Sequence, residues 1–257
     1  MTTFVVCHGA WSAGWAWKKM APLMHALGHT LVTPTYTGIG ERSHLAHAGI
    51  DLDTHITDIL NVLEFEDLRH VVLIGHSYGG MVATGVADRA ADRIAHLVYL
   101  DAFVPRHGDS LLSLTPDDNR SRVLEGVRRE GARSEGDGWL IPANPLPPDT
   151  RPEDVAWCMP RRVMQPLKTW EQPIALTGAV DNLPKSYIYC KKSGPGDVFR
   201  QFADRARSEA GWTYFEMNAS HNPHITVPQE LMVVLDGVAS RLEAESMLTG
   251  NPPEKVK

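Results

Sequence analysis

The sequence has few of the residues that several protein classes require. Only three cysteines, Cys7, Cys158 and Cys190, occur among its 257 residues, and they lie far apart. This spacing favours neither a disulfide framework nor a metal-binding pair, so we expect three free, partly buried thiols. The net charge is -6 and no run of basic residues is present, which argues against nucleic acid as a partner.

Long apolar stretches are also missing. No segment approaches the length that spans a bilayer, so we expect no association with a membrane. The first residues, MTTFVV, lack the basic region and the small-residue cleavage site of a secretory leader. On these grounds we expect a cytoplasmic protein.

The chain does contain short apolar runs that alternate with helical patterns. The runs TFVVC, HVVLIGHS and AHLVYLDA have the composition of buried strands, and amphipathic segments separate them. This alternation is typical of βαβ units. It stops after Pro105 and resumes with KSYIYC and WTYFEM.

The same pattern divides the chain. Residues 1–104 and 185–246 are predicted to form an α/β core with a mostly parallel central sheet flanked by helices. Residues 105–184 are charged, rich in proline and mainly helical, and we predict that they are inserted after the strand that ends at Asp101. Residues 247–257 are predicted to be a flexible tail.

Residues 75–79, Gly-His-Ser-Tyr-Gly, form a G-x-S-x-G motif between a buried strand and a helix. A nucleophilic serine on such a sharp turn needs glycine at Gly75 and Gly79, because side chains there would collide with neighbouring elements. The motif therefore predicts Ser77 as a nucleophile. The simpler alternative is a tight strand–helix turn with a capping serine.

A serine hydroxyl needs a base near neutral pH, and two histidines follow the last predicted strand. In the loop NASHNPH we predict that His221 is the base, because it comes first after the strand and follows small residues. We predict that His224 packs in or on this loop. No carboxylate or cysteine pattern completes a metal site around the pair, so we expect neither a metal nor a cofactor.

Two aspartates are candidates for the acid that orients the histidine. Asp101 ends a buried strand, where a carboxylate is costly unless a group such as an imidazolium partners it. The simpler role of Asp101 is to cap the next turn. Asp197 follows the strand YIYC and would also serve as the N-cap of the next helix. We predict Asp101 and keep Asp197 as its rival.

The intermediate of acyl transfer also needs two donors for its oxyanion. The Tyr78 amide, directly after the nucleophile, is one predicted donor. The Ala10 amide is the other, in the loop after the first strand, where Gly9 lets the backbone approach a substrate. Trp11 is predicted to touch the substrate or to wall the site, whereas Trp15 is predicted to pack.

Four stretches, HGAW…GWAWKKMAPLMHALGH, TYTGIGER, HVVLIGHSYGGMV and PQEL, carry a resemblance. The chain resembles the α/β-hydrolase superfamily, and within it the branch of plant methylesterases, hydroxynitrile lyases and bacterial pyrethroid-type carboxylesterases. The resemblance implies an α/β-hydrolase fold in which residues 105–184 form a lid over the serine. Trp139, Trp157 and Trp170 of that lid would line an acyl or alcohol pocket or, alternatively, pack within the lid.

The chain departs from this branch at several positions. The lyases have Thr where Gly9 stands, and after the catalytic histidine they have a Lys, whose charge Asn222 cannot supply to departing cyanide. The plant members carry their acid at the position of Gly194 and a small apolar residue at that of Asp101, which supports Asp101 as the acid here. Esterase members usually have an acidic residue where this chain has Ser220.

The prediction is therefore a serine carboxylic ester hydrolase that acts on a small to medium, largely hydrophobic small-molecule ester through an acyl-enzyme. Ser77 would attack, His221 would act as base, and Asp101 would orient the histidine. One alternative is C–C cleavage like that of the hydroxynitrile lyases, against which Gly9 and Asn222 count. The other is a ligand-binding protein on a hydrolase fold.

Overall fold

A computed structural model describes residues 1–133, 138–193 and 196–249 of the chain. Six strands form a parallel sheet at the centre of this part of the molecule. They are β1 (Thr3–Cys7), β2 (Thr30–Val32), β3 (Val71–His76), β4 (Ile94–Leu100), β7 (Lys185–Cys190) and β8 (Trp212–Met217). Their order across the sheet is β2-β1-β3-β4-β7-β8. The predicted α/β fold with a mostly parallel sheet is confirmed.

Helices cover both faces of the sheet, which explains why its central strands are apolar along their whole length. Val5 and Cys7 of β1 point to a core formed with α2 (Leu52–Phe65), α3 (Gly79–Arg89) and α8 (Arg200–Ser208). The alternate residues Phe4 and Val6 point to a second core formed with α1 (Met20–Ala26) and α10 (Pro228–Thr249). The period of two along the strand thus divides the buried side chains between two layers.

Between β4 and β7 the chain leaves the sheet. This segment, residues 105–184 and called the insertion below, contains short helices and one longer one. They are α4 (Leu111–Leu114), α5 (Asp117–Arg133), α6 (Pro152–Cys158) and α7 (Lys168–Glu171). Two short strands, β5 (Leu140–Ile141) and β6 (Gln165–Pro166), pair antiparallel within it. The last helical turn before α10 is α9 (Pro223–Thr226).

The structure also describes the C-terminal helix and the three thiols. Helix α10 continues to Thr249, into the predicted tail, and residues 250–257 lie outside the described part of the chain. Cys7, Cys158 and Cys190 are free, as predicted, and they are fully rather than partly buried. No helix in the described ranges is long and apolar enough to cross a membrane.

Candidate active site

Ser77 stands on the turn between β3 and α3. Its φ is 56°, in the left-handed region that a side chain rarely adopts. Neighbouring backbone leaves no space for side chains beside it: a Cβ on Gly79 would lie 1.9 Å from the Cys7 carbonyl oxygen, and one on Gly75 would lie 2.8 Å from that of Gly79. The motif glycines are therefore required by close packing of the turn against the strands.

His221 and Asp101 come together at the ends of two strands. Asp101 follows β4, His221 follows β8, and the His221 Nδ1–H donates to Asp101 Oδ2 at 2.7 Å. The Cys190 amide donates to the other carboxylate oxygen at 3.1 Å. Asp101 is buried, with a φ of 43°, and its own amide donates to the Ile188 carbonyl. Hydrogen bonds with β7 and with the loop after β8 thus hold the acid in a strained conformation.

The electrostatics of this pair depend on burial. Burial raises the pKa of Asp101, and the hydrogen bonds from His221 and from the Cys190 amide oppose that rise. The ring of His221 stacks on Phe199 with centroids 4.7 Å apart, while its side chain stays partly open to the cavity. The carboxylate is therefore placed to stabilise a protonated imidazole at Nδ1 while Nε2 is free for chemistry.

Asp197, the rival acid, has different partners. Its Oδ2 accepts a hydrogen bond from the Tyr189 hydroxyl at 2.6 Å. Its Oδ1 accepts from the amides of Phe199 at 3.0 Å and Arg200 at 3.3 Å, at the start of α8. Across the described ranges no hydrogen bond joins Asp197 to His221. These bonds resemble the helix-capping alternative that the sequence offered, although the N-cap position of α8 is Phe199. Gly194, at the position of the plant acid, lies outside the described residues.

Two amides border the cavity beside Ser77, those of Ala10 and Tyr78. In the part of the chain that the structure describes, neither of them donates to a protein acceptor. The neighbouring Trp11 amide donates to Gln165 Oε1 at 3.2 Å, and the Trp11 indole N–H donates to the Ile141 carbonyl at 2.9 Å. The insertion thus fixes the loop at Trp11 and leaves the Ala10 and Tyr78 amides available to an oxyanion.

Gly9 has a geometric reason to be glycine. A Cβ at this position would lie 2.9 Å from His76 Nδ1 and 3.2 Å from the Cβ of Ser77. The threonine that the lyases carry here would displace Ser77 or His76, the last residue of β3. The loop after β1 therefore passes close to the turn that carries Ser77, and Ala10 lies in this loop directly after Gly9.

His76, the second residue of the motif, has a role that the sequence analysis missed. Its Nε2–H donates to the His221 carbonyl at 2.8 Å. This bond joins the end of β3, next to Ser77, to the loop that carries His221. Burial, with the nearby His224 and His221, lowers the pKa of His76 well below the usual range, so the ring is neutral. One signal could have indicated this role: His76 is the last residue of a fully buried strand.

His224 is a packing residue, as the sequence led us to expect, but it lies in the interior. It stacks on Trp17 with ring centroids 4.6 Å apart and lies 4.7 Å from the ring of His76. Burial lowers the pKa of His224 to about 3. His224 lines the cavity together with His221. Among the described residues, no hydrogen bond joins His224 to Asp101.

All these groups line one cavity of about 940 Å³. Of the predicted pocket residues, Gly9, Trp11 and Trp170 border it, whereas Trp139 and Trp157 are not part of its lining. Trp157 instead packs edge-on behind Trp15, with centroids 5.2 Å apart. Trp15, predicted only to pack, lines the cavity because the loop after β1 turns it inward.

No group of three or more His, Cys, Asp and Glu side chains within the described ranges has the arrangement of a metal site. The chemistry available at the cavity is thus that of the serine hydroxyl, an imidazole, a buried carboxylate and two unused amides. Phe199, which stacks on His221, is a further residue that the sequence pattern did not single out.

Comparisons with known proteins agree with this geometry. A family model described as the alpha/beta hydrolase family matches residues 4–233. The chain is 39% identical over 235 residues to a carbendazim hydrolyzing esterase from Nocardioides sp. (strain SG-4G), covering 90% of this chain and 97% of that protein.

Two solved structures are similar in fold. An extracellular alpha/beta-hydrolase from a Paenibacillus species has a TM-score of 0.78 at 23% identity, covering 91% of this chain and 98% of its own. A pyrethroid hydrolase from Sphingobium faniae JZ-2 has a TM-score of 0.67 at 22% identity, covering 96% and 99%.

Proposed function

This chain belongs to the alpha/beta hydrolase family, and we propose that it hydrolyses carboxylic esters with Ser77, His221 and Asp101 as its catalytic triad. The observation that carries the residue assignment is the 2.7 Å hydrogen bond from His221 to Asp101, beside a strained serine turn in the same cavity. The 39% identical Nocardioides relative, an esterase, supports the reaction type.

The proposed reaction uses each of these groups in turn. Ser77 Oγ attacks the ester carbonyl carbon and its proton passes to Nε2 of His221. Asp101 holds Nδ1–H and stabilises the imidazolium that forms. The amides of Ala10 and Tyr78 hold the oxyanion. The histidine then protonates the leaving alcohol, and the acyl group stays on the serine.

Deacylation uses the same groups in reverse. His221 removes a proton from water, the hydroxide attacks the acyl carbonyl, and the proton returns to Ser77 as the acid leaves. No further group is required for these steps. A small to medium, largely hydrophobic ester suits the cavity, whose wall includes the apolar faces of Trp11, Trp15, Trp170 and Phe103.

The insertion supports the further proposal that residues 105–184 act as a lid. Its residues Ile141 and Leu146 border the same cavity as Ser77, and Gln165 binds the loop that carries Ala10 through the Trp11 amide. Exclusion of bulk water above Ser77 would strengthen the hydrogen bonds to the oxyanion.

The test is the turnover of p-nitrophenyl butyrate by the wild type and by Ser77→Ala. We expect the variant to lose turnover, because Ser77 is the serine on the strained turn between β3 and α3, whereas the exposed-serine control Ser43→Ala keeps it. Labelling with a p-nitrophenyl alkylphosphonate followed by mass spectrometry is expected to place the adduct on Ser77. Undiminished turnover by Ser77→Ala, or labelling elsewhere, would rule out the assignment.

A further inference from the structure

The cavity wall carries more positive charge than the whole chain does. The net charge of the chain is -6. Yet the described residues that line the cavity include five cations and three carboxylates. The cations are Arg122, Arg129, Arg133, Arg162 and Lys192, and the carboxylates are Asp101, Glu130 and Asp197.

The three carboxylates already have partners. Asp101 binds His221, and Asp197 binds Tyr189 and forms an ion pair with Arg200 at 3.7 Å. Glu130 lies 3.8 Å from a guanidinium nitrogen of Arg133. The acids of the wall are therefore engaged within the protein.

Arg162 is the cation with the most unusual surroundings. It follows the turn Met159–Arg161 in the insertion, and its side chain is half-buried. Its guanidinium carbon lies 5.7 Å from the ring centroid of Trp11. Within the described ranges no carboxylate pairs with this guanidinium, and no acceptor takes a hydrogen bond from it. Burial lowers the pKa of Arg162, and the nearby ionisable group that opposes this is the buried thiol of Cys158.

Arg205 shows how the fold treats another partly buried guanidinium. It donates to the Val104 carbonyl at 3.1 Å and forms an ion pair with Glu209 at 4.0 Å. Arg162 has the ring of Trp11 instead of an anion. A desolvated charge without a counter-ion is costly, so an unpaired guanidinium in a ligand cavity is a site for an anionic ligand group.

The position of Arg162 relates this anion site to the reaction centre. Trp11, against which it lies, directly follows Ala10, and both residues line the cavity together with Ser77. A carboxylate bound to Arg162 would thus lie in the same cavity as an ester carbonyl on Ser77. The planar guanidinium matches a carboxylate through two parallel hydrogen bonds.

We propose that the preferred substrates are esters that also bear a carboxylate, such as half-esters of dicarboxylic acids, and that Arg162 binds this carboxylate. This inference rests on the proposed ester hydrolysis by Ser77. The exposed cations at the cavity wall, Arg122, Arg129 and Lys192, attract such anions from solution.

The first experiment compares two substrates of equal chain length on the wild type. Monoethyl adipate and ethyl hexanoate differ only in a terminal carboxylate in place of a methyl group, and the release of ethanol is measured. We expect kcat/KM to be about tenfold or more higher for the half-ester, as a charge-assisted hydrogen bond would give. An equal or lower kcat/KM for the half-ester would overturn the inference.

Variants assign the preference to one side chain. Arg162→Gln is expected to lower kcat/KM for monoethyl adipate much more than for ethyl hexanoate, and Arg162→Lys is expected to restore part of the difference. The matched control is Arg161→Gln, which removes an exposed neighbouring guanidinium that faces Trp157 and keeps the wild-type ratio. A wild-type ratio in Arg162→Gln would contradict the assignment.

A binding measurement separates this inference from the proposed function. Ser77→Ala is titrated calorimetrically with monoethyl adipate and with the uncharged ethyl 6-amino-6-oxohexanoate. Tighter binding of the anion, lost in Ser77→Ala/Arg162→Gln, supports the anion site even if no ester is turned over. Equal binding of the two ligands by Ser77→Ala overturns the anion site even where the wild type hydrolyses esters.

Discussion

The strand ends of the core and the insertion border the same cavity but contribute different groups to it. The core supplies Ser77, Asp101, His221 and the unused amide of Ala10, all in loops at the carboxyl ends of parallel strands. The insertion supplies apolar side chains and the guanidinium of Arg162. The comparison suggests that the core performs the chemistry and that the insertion selects the substrate.

The two regions also differ in how firmly they hold their residues. Trp11, Ser77 and Asp101 adopt positive φ values of 56°, 56° and 43°. Strand-end hydrogen bonds, such as that from the Ser77 amide to the Leu100 carbonyl at 3.3 Å, maintain these strained conformations. The insertion instead meets the loop that carries Ala10 and Trp11 through a few contacts. The clearest of these is the hydrogen bond that the Trp11 amide donates to Gln165.

The largest expected effect is in the core. Asp101→Asn is expected to lower kcat by about 10⁴-fold, because an amide cannot hold His221 in the correct tautomer. Since burial raises the pKa of Asp101, its ionised form costs stability at neutral pH, so we expect the variant to unfold no earlier than the wild type. Steady-state kinetics and thermal unfolding test both statements.

Asp197→Asn is the control for this prediction, because Asp197 binds Tyr189 and the start of α8. Its kcat is expected to stay within about tenfold of wild type, since it lacks a described contact with His221. If Asp197→Asn lost the activity while Asp101→Asn kept it, the assignment of the acid would be reversed.

The second-largest effect on kcat is expected for a substitution of Gly9. Gly9→Thr would force its side chain against His76 and Ser77 and displace the Ala10 amide. Loss of one oxyanion donor lowers kcat by about 10² to 10³, and we expect at least that change. Gly237→Ala is the control: its new methyl group meets nothing within 4 Å, so kcat is expected to be unchanged. A fully active Gly9→Thr would show that the loop after β1 does not position a donor.

Changes in the insertion are expected to have smaller effects on kcat. Gln165→Leu leaves the buried Trp11 amide without an acceptor, which costs about 1–3 kcal/mol in the free energy of unfolding. We expect KM to rise more than kcat falls, since the reacting groups stay on the core. Urea unfolding and steady-state kinetics test this, with the exposed Gln229→Leu as the control. A fall in kcat as large as that of Gly9→Thr would remove the distinction between the two regions.

The smallest expected effect is on the way the free energy of unfolding depends on pH. We expect this dependence to come from buried histidines of the core. Burial lowers the pKa of His8 and His96 to about 4, and that of His55 and His224 to about 3. These rings take up protons when the chain unfolds below about pH 6.5. Their contribution to stability is therefore present above that pH and is lost as the pH falls toward 4, with a slope of about 1.4 kcal/mol per pH unit for each histidine.

His96→Gln tests this away from the cavity. Its Nε2 lies 2.7 Å from the Ser186 hydroxyl, with which a glutamine amide can also bond. The slope of the unfolding free energy between pH 6 and 5 is expected to fall by about the share of one histidine. The exposed His44→Gln serves as the control and should leave the slope as it is. An unchanged slope in His96→Gln would show that this ring is not neutral in the folded state.

The sequence by itself determined the architecture, and it predicted Ser77 and His221 as the reacting pair. Buried strands are apolar along their length, and amphipathic helices repeat their apolar residues every three to four positions, so both patterns are local and readable. The G-x-S-x-G motif at Ser77 is equally local, and the order of the elements singled out the loop of His221. The confirmed parallel sheet rests on these signals.

Only the tertiary structure decided which aspartate lies against His221, because the pairing depends on which strand ends meet across the sheet. The sequence favoured Asp101 and kept Asp197 as its rival; the fold brings Asp101 to the histidine and places Asp197 beside the amides at the start of α8. The orientation of the tryptophans and the unpaired state of Arg162 also arise from contacts between residues distant in the chain. Side-chain neighbours of this kind leave no periodic pattern in a sequence, since they are set by how separate elements pack.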